Sequence, residues 1–367
     1  MMKILLLEPY FTGSHKSWAL GFQLQSHHQI EILSMKGQFW KWRMHGGAVT
    51  MANQFNESDL KPDLIMATDM LDFTTFLSLT RKKSSEIPTA IYFHENQLSY
   101  PWSPSDRDVQ GNQKKHYGFI NYTSAFASDH VLFNSKYHQD AFIFEVKKLL
   151  TNFPDHNELE TVKQIEAKST VLHLGLDLSR FDISRTTNNG PPLILWNHRW
   201  EYDKNPETFF KTLYRLDSDG IDFRLAVLGE NFKTTPSIFD EAKIKLSDKI
   251  VHFGYSESSD DYAKWLWKAD IIPVTNNQDF FGISIMEAVY CNTYPLLPDR
   301  LTYRELLPKK FHVNHIYKNE IDLYEKLKSA IANISEVRKL RFSLIAKKYD
   351  WSNMASIYDE LFSSFIS

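Results

Sequence analysis

The chain has 367 residues, 43% of them apolar and 24% charged, with 26 Phe, 17 Tyr and 9 Trp. At roughly 150 residues per domain this allows two domains, supplies apolar surface for large cores and excludes global disorder. Lys and Arg number 42 against 45 Asp and Glu, so a polyanionic partner must be met by a local patch and not by the overall field. The first apolar run, Ile4 to Leu7, is broken by Glu8, and nowhere do about 18 apolar residues follow one another. No signal peptide and no membrane span are therefore expected, and a cytoplasmic location is. The single cysteine, Cys291, excludes an internal disulfide and reads as a small buried apolar residue.

Short aliphatic runs alternate with segments of helical period, the signature of βαβ units and an α/β fold. In the first half, strands are predicted at residues 3–8, 30–34, 63–68, 89–94, 129–134 and 170–174. Residues 186–192, Thr-Thr-Asn-Asn-Gly-Pro-Pro, have linker chemistry, and a domain boundary is placed near them. The alternation then restarts with strand 193–197, a helix from Pro206, strands 224–229 and 250–253, helix 262–268, strand 270–275 and helix 283–290. Residues 320–367 read as successive helices with Trp351 and Phe362 as packing residues. The expected division is an N-terminal domain of residues 1–183, a C-terminal domain of residues 184–345, and a last helical segment, 346–367, able to cross back to the first domain.

The first strand is followed by Pro9-Tyr10-Phe11-Thr12-Gly13-Ser14, which is neither a dinucleotide fingerprint nor a Walker A loop. The loop Asn197-His198-Arg199-Trp200-Glu201-Tyr202-Asp203-Lys204 lies where the first strand of the second half gives way to its helix, the edge at which open α/β sheets bind ligands. Arg199 can fork onto phosphate oxygens and Lys204 can act as a point charge. The run Asp279-Phe280-Phe281-Gly282-Ile283-Ser284-Ile285-Met286-Glu287 enters a helix near Ile283, whose free amides can receive phosphate while Gly282 permits close approach. Asp279 on the loop can meet sugar hydroxyls, and Glu287 inside the helix can accept from a ribose diol. Gly13, Ser14 and His15 precede the first helix and can approach a ligand through backbone amides.

Arg199, Lys204 and the acid-Phe-Gly-acid run resemble the retaining, metal-independent glycosyltransferases of GT-B fold, two Rossmann-like doubly wound domains facing each other across a cleft. Further similarities are Leu174-Gly175-Leu176-Asp177 with Phe181, Gly229-Glu230 after the second C-domain strand, and Trp351. The N-terminal half is similar to one narrow family, the tRNA-queuosine α-mannosyltransferases. The similarity rests on residues 8–18, Met44-His45-Gly46-Gly47-Ala48, Ala67-Thr68-Asp69-Met70, Tyr92-Phe93-His94-Glu95-Asn96-Gln97, Tyr100-Pro101-Trp102-Ser103-Pro104 and His116-Tyr117-Gly118-Phe119-Ile120-Asn121-Tyr122. Two positions depart from the superfamily pattern. Asp279 stands where a glutamate is usual, and Asp299-Arg300-Leu301-Thr302-Tyr303 replaces a glycine-rich loop.

The resemblance implies transfer of mannose from GDP-mannose to the cyclopentenediol of queuosine in tRNA-Asp, without metal or cofactor. It implies that Arg199, Lys204, Gly282, Ile283 and Ser284 hold the donor diphosphate, that Glu287 with Gly229 and Glu230 holds the nucleotide ribose, and that His94 and Asp279 sit beside the donor sugar. Asp69, Glu95 and Asn96, with Gly13, Ser14 and His15, are left for the acceptor. Other readings are a same-fold transferase acting on a lipid or polysaccharide, and a non-catalytic RNA- or sugar-binding module. Phe39-Trp40-Lys41-Trp42-Arg43, Lys114-Lys115-His116-Tyr117 and Arg81-Lys82-Lys83 mix rings with cations in a way compatible with tRNA.

Overall fold

A computed structural model describes residues 1–102, 114–230 and 235–366. Ser103 and Pro104 of the family motif lie outside the described residues. The chain forms two compact units, Met1–Leu176 with Trp351–Ser367, and Asp177–Asp350. Among the described residues no helix is long and apolar enough to cross a membrane.

The first unit is built on a parallel sheet ordered β2-β1-β3-β4-β5-β6. Its strands are β1 (Lys3–Phe11), β2 (Gln29–Lys36), β3 (Leu64–Thr68), β4 (Thr89–Phe93), β5 (His130–Phe133) and β6 (Ser169–Val171). The central strands are continuous apolar runs because helices cover both faces. On one face Leu5, Leu7, Ile65 and Ala67 pack against Ala52, Phe55, Phe73 and Phe76. The helix Trp351–Ser364 covers part of this unit although it is last in the chain. Trp351 makes that return possible by lying on two glycines. A Cβ at Gly21 would come within 2.0 Å of its indole Nε1, and one at Gly175 within 2.4 Å of its ring.

The second unit repeats the plan with the order β12-β11-β10-β7-β8-β9. Its strands are β7 (Leu193–Asn197), β8 (Arg224–Leu228), β9 (Ile250–Gly254), β10 (Ile271–Pro273), β11 (Tyr294–Pro298) and β12 (Ile316–Tyr317). Sequence reading missed β11 and β12. Pro295 and Pro298 mark β11 as unlikely strand material, yet it pairs in parallel with β10, and β12 is only two residues long.

The boundary expected at 183/184 differs from the division observed. The turn Ser179–Ser184 belongs to the second unit, anchored by Trp267 Nε1 donating to the Phe181 carbonyl at 2.7 Å. The expected linker is equally well held, because Asn188 Nδ2 donates to Asp270 at 2.7 Å and Arg338 to the Gly190 carbonyl at 2.9 Å. Glycine and proline there end a preceding segment and start β7 without loosening the chain. Residues 346–350 also stay with the second unit, where Asp350 accepts the Leu178 amide at 3.0 Å.

In each sheet the first strand is flanked by strands reached in opposite directions, β1 by β2 and β3, β7 by β8 and β10. Ligands of doubly wound sheets bind at the carboxyl ends of the strands at such a reversal. Both candidate sites lie at these positions.

Candidate active site

In the first unit the site grows from the end of β1. Glu8 is fully buried; one carboxylate oxygen accepts the Tyr10 amide at 2.9 Å and the other lies 3.1 Å from His15 Nδ1. His15 reaches it from the helix Gly13–Gln25, which opens on Gly13 with φ +49°. The His15 ring lies 4.2 Å, centre to centre, from that of His94, which follows β4 and is walled by Trp18 and Tyr92. Asp69, after β3, accepts the His94 amide at 2.8 Å. Thus His15, Asp69 and His94 are brought together, while Gly13 and Ser14 form the exposed start of the same helix.

Asn96 and Glu95 take parts the sequence did not reveal. The Asn96 side-chain oxygen accepts the Ser99 amide at 2.9 Å and the Leu98 amide at 3.1 Å, so it shapes the loop after β4. Glu95 accepts from Gln97 Nε2 at 2.9 Å. Asn121 joins two loops by donating to the Asp69 carbonyl at 2.9 Å and accepting the Gln97 amide at 2.8 Å. Its side chain was quoted only within a motif, and no sequence signal distinguishes this bridging role.

Burial alone would deprotonate His15, but the Glu8 carboxylate outweighs it and raises the imidazole to about 9. Burial, reinforced by the His15 charge, pushes His94 well below its ordinary value, and burial pushes Asp69 upward against His15. At neutral pH the pair is an imidazolium beside a neutral imidazole. The His94 Nε2 is buried without a hydrogen-bond partner, a polar atom available to a ligand.

The raised His15 value makes stability pH-dependent. A group held protonated by the fold contributes fully below its unfolded value of 6.5, and the contribution is lost as pH rises through about 9. Its size is roughly 3 kcal/mol at 1.36 kcal/mol per pKa unit. Glu8→Gln is therefore expected to destabilise most near pH 6, with the gap to the wild-type closing above pH 9 in denaturation followed across that range. A gap independent of pH would refute the pairing.

In the second unit Asn197, the last residue of β7, ties the two expected segments together. Its Nδ2 donates to the Ser284 carbonyl at 2.9 Å, and its Oδ1 lies 3.0 Å from the Tyr262 hydroxyl, itself 2.7 Å from Glu287 Oε2. The other Glu287 oxygen accepts Arg180 Nη2 at 2.6 Å. Burial raises the Glu287 carboxyl in spite of Arg180 and Tyr262. Arg180, Asn197 and Tyr262 were missed as site residues; each is an ordinary polar side chain until the fold places it.

Lys204 is buried, 8% exposed. It donates to the Gln278 carbonyl at 2.8 Å and pairs with Asp203 at 3.0 Å and Asp279 at 3.6 Å. Asp279 also accepts from Asn276 at 2.7 Å and Tyr303 at 2.8 Å. Burial would raise the Asp279 carboxyl, but Lys204, with help from His198, Tyr303 and Asn276, holds it below the ordinary range. A buried ammonium between two carboxylates also serves the fold, since its loss strands both charges.

Arg199 is half exposed and pairs with Glu201 at 3.1 Å. The helix Ile283–Tyr290 begins at Gly282 in the left-handed region, φ +89°, with no side chain capping its first amides. His198 faces that start, Nδ1 3.2 Å from Ser284 Oγ, and burial lowers it to about 3, so it is neutral with Nε2 buried and unpartnered. Gly229 is required by close approach. With φ +123°, a Cβ there would lie 2.0 Å from the His198 carbonyl oxygen. The Glu230 side chain is exposed, and its carbonyl accepts the Trp200 amide at 3.1 Å. In the replaced loop, Arg300 donates to the Asn276 and Thr275 carbonyls at 2.8 and 2.6 Å, fixing the backbone that carries Asp279.

Among the described residues, two clusters have donor sets suited to a metal, Glu8 with His15 and His94, and His27 and His28 with Asp359. In the first, the His15 proton already neutralises Glu8.

Residues 3–176 match the family model "tRNA-queuosine alpha-mannosyltransferase N-terminal", and residues 180–351 match "Glycosyl transferases group 1". The chain is 33% identical over 336 residues to the Drosophila melanogaster protein named tRNA-queuosine alpha-mannosyltransferase, covering 88% of this chain and 85% of that one. The chain belongs to the tRNA-queuosine α-mannosyltransferase family. It is a glycosyltransferase of GT-B fold. Anabaena HepE, solved in complex with UDP and glucose, is similar in structure with TM-score 0.66 at 14% identity, covering 99% of this chain and 100% of that one. Sucrose-phosphate synthase of Thermosynechococcus elongatus gives TM-score 0.69 at 10% identity, covering 99% and 100%. At such identities these two likenesses concern the fold alone.

Proposed function

We propose that the protein moves mannose from GDP-mannose onto the cyclopentenediol of queuosine in tRNA, with retention at the anomeric carbon and without a metal ion. The observation that carries this reading is the convergence, at one sheet edge of the second unit, of two cationic side chains, an uncapped helix start and a carboxylate set in a hydrogen-bond network. Glycosyl transfer develops negative charge on the departing diphosphate and positive charge on the sugar, so catalysis is largely charge placement. Arg199, Lys204 and the amides at Gly282, Ile283 and Ser284 receive the diphosphate. Glu287 accepts from the ribose hydroxyls beside the Gly229–Glu230 turn, and Asp279, preset as an anion, faces the developing sugar cation.

In the first unit, neutral His94 offers Nε2 to the donor sugar, and the charged His15 with Asp69, Glu95, Asn96, Gly13 and Ser14 forms the acceptor side. The acceptor oxygen bonds to the anomeric carbon as the carbon–phosphate-oxygen bond breaks, and the hydroxyl proton passes to the leaving diphosphate oxygen. A tRNA acceptor agrees with work in the cytoplasm.

The test incubates the protein with GDP-mannose or UDP-hexoses and with tRNA carrying or lacking queuosine, then weighs the digested nucleosides. A gain of one hexose is expected only with GDP-mannose and queuosine-containing tRNA, undiminished by EDTA. No gain in any combination removes the assignment, and strict dependence on added divalent ion removes its metal-free form.

A further inference from the structure

We propose that the start of the helix Trp40–Glu57 is a stacking platform for unpaired bases of the RNA loop that carries the acceptor nucleoside. This rests on the tRNA reading above, and its evidence is separate from the two sites already described. Large rings are normally buried or scattered singly at a surface. Here Phe39 is 76% exposed and Trp42 63% exposed, three residues apart at one helix start.

Neither residue is loosely placed. Phe39 is held in the left-handed region at φ +54°, costly for a bulky residue, while its carbonyl accepts the Trp42 and Arg43 amides at 2.8 and 3.1 Å. Trp42 lies flat on Gly46 one turn later, where a Cβ would come within 2.5 Å of the indole Cζ2. An indole with one side seated on the backbone and most of its area in solvent is a preformed π face, which loses little entropy on stacking.

The charge around the rings suits a phosphate backbone. Residues 32–56 contain no Asp or Glu, but carry Lys36, Lys41 and Arg43. Lys41 Nζ lies 5.6 and 5.3 Å from the ring centres of Trp40 and Trp102, and Arg43 Nε donates to the Lys36 carbonyl at 3.1 Å, which fixes its guanidinium beside the platform. The platform is continuous with the acceptor side of the site. Trp40 and Tyr10 pack on the same cluster of Met44, Met70, Tyr117 and Ile120, and Tyr10 sits edge-on to His15 at 6.0 Å. Contiguity with the acceptor side of the site, together with a preformed π face on which bases stack, favours single-stranded RNA over a lipid surface or a peptide.

The experiment measures binding of an anticodon stem-loop RNA by fluorescence anisotropy, for the wild-type, Trp42→Ala, Trp42→Phe and Gly46→Ala, with thermal stability recorded for each. Loss of one base stack corresponds to roughly tenfold weaker binding, at 1–3 kcal/mol per base. We expect that loss for Trp42→Ala, and retention within about threefold for Trp42→Phe. Gly46→Ala is expected to weaken binding as well by lifting the indole from its seat, although alanine favours the helix and stability does not fall. Affinity should also drop steeply with added salt. Equal binding by the wild-type and Trp42→Ala, or no binding of the stem-loop by the wild-type, overturns the platform. Hexose transfer is scored separately. Trp42-dependent binding without transfer supports the platform and counts against the acceptor reading, whereas transfer with Trp42-independent binding does the reverse.

Discussion

Lys204→Ala is expected to reduce turnover by about a hundred- to a thousandfold, the usual cost of removing one preorganised charge from a transition state, and to destabilise the protein as well. The second effect follows from burial. Without the ammonium, Asp203 remains fully buried and Asp279 only partly exposed, and breaking such a buried pair costs about 3–5 kcal/mol. The two losses can be separated. In the double variant Lys204→Met with Asp203→Asn, one uncompensated charge is gone and the volume is largely kept, so melting temperature should recover part of its fall while turnover stays low. If turnover returns together with stability, Lys204 serves the fold alone and the diphosphate assignment fails.

The second large effect is on the return of the chain to its first unit. Trp351→Ala is expected to cost about 3–5 kcal/mol, the range for removing a buried tryptophan. The ring is 3% exposed, stacks on Phe22 at 6.2 Å and meets Tyr358 edge-on at 5.2 Å. Its own amide donates to the Leu176 carbonyl at 2.9 Å. Because two units do not guarantee a two-state transition, the measurement is hydrogen exchange of the helix Trp351–Ser364, read beside the midpoint of denaturation. Faster exchange confined to this helix and its partners in the first unit is the expected pattern. Gly21→Ala should imitate it, since the new methyl group would occupy the indole's place. Exchange unchanged in Trp351→Ala would show that the helix is held by other contacts.

Much of the candidate site was legible because its chemistry depends on residue types at strand ends. Arg199, Lys204, Asp279 and Glu287 could be singled out because they follow strands readable as aliphatic runs, and such runs end where ligands bind. What was not legible has a common physical cause. Arg180 lies in the turn before β7 and Tyr262 in the helix before β10, more than a hundred and about 25 residues from Glu287. Nothing local marks either as its partner. Glu8 looked like the residue that merely ends an apolar run, yet β1 continues past it to Phe11 and its carboxylate sets the charge of His15. The expected linker at 186–192 shows the opposite failure: its composition is that of a loose connection, but Asp270 and Arg338 hold it in place.

By itself the order of residues determined the α/β class, both parallel sheets in outline, the absence of a nucleotide-binding fingerprint of the dehydrogenase or P-loop kind, and the family motifs. Local pattern suffices for these because strand and helix periods, and the amino acids that end them, are encoded within a few residues. Only the tertiary structure decided which unit each boundary residue joins, that Lys204 is a buried counter-ion of Asp203 and Asp279, and that His15 is charged while His94 and His198 are neutral. Those properties depend on burial and on partners distant in the chain, and a carboxylate three ångströms away changes a histidine more than any neighbour in sequence does.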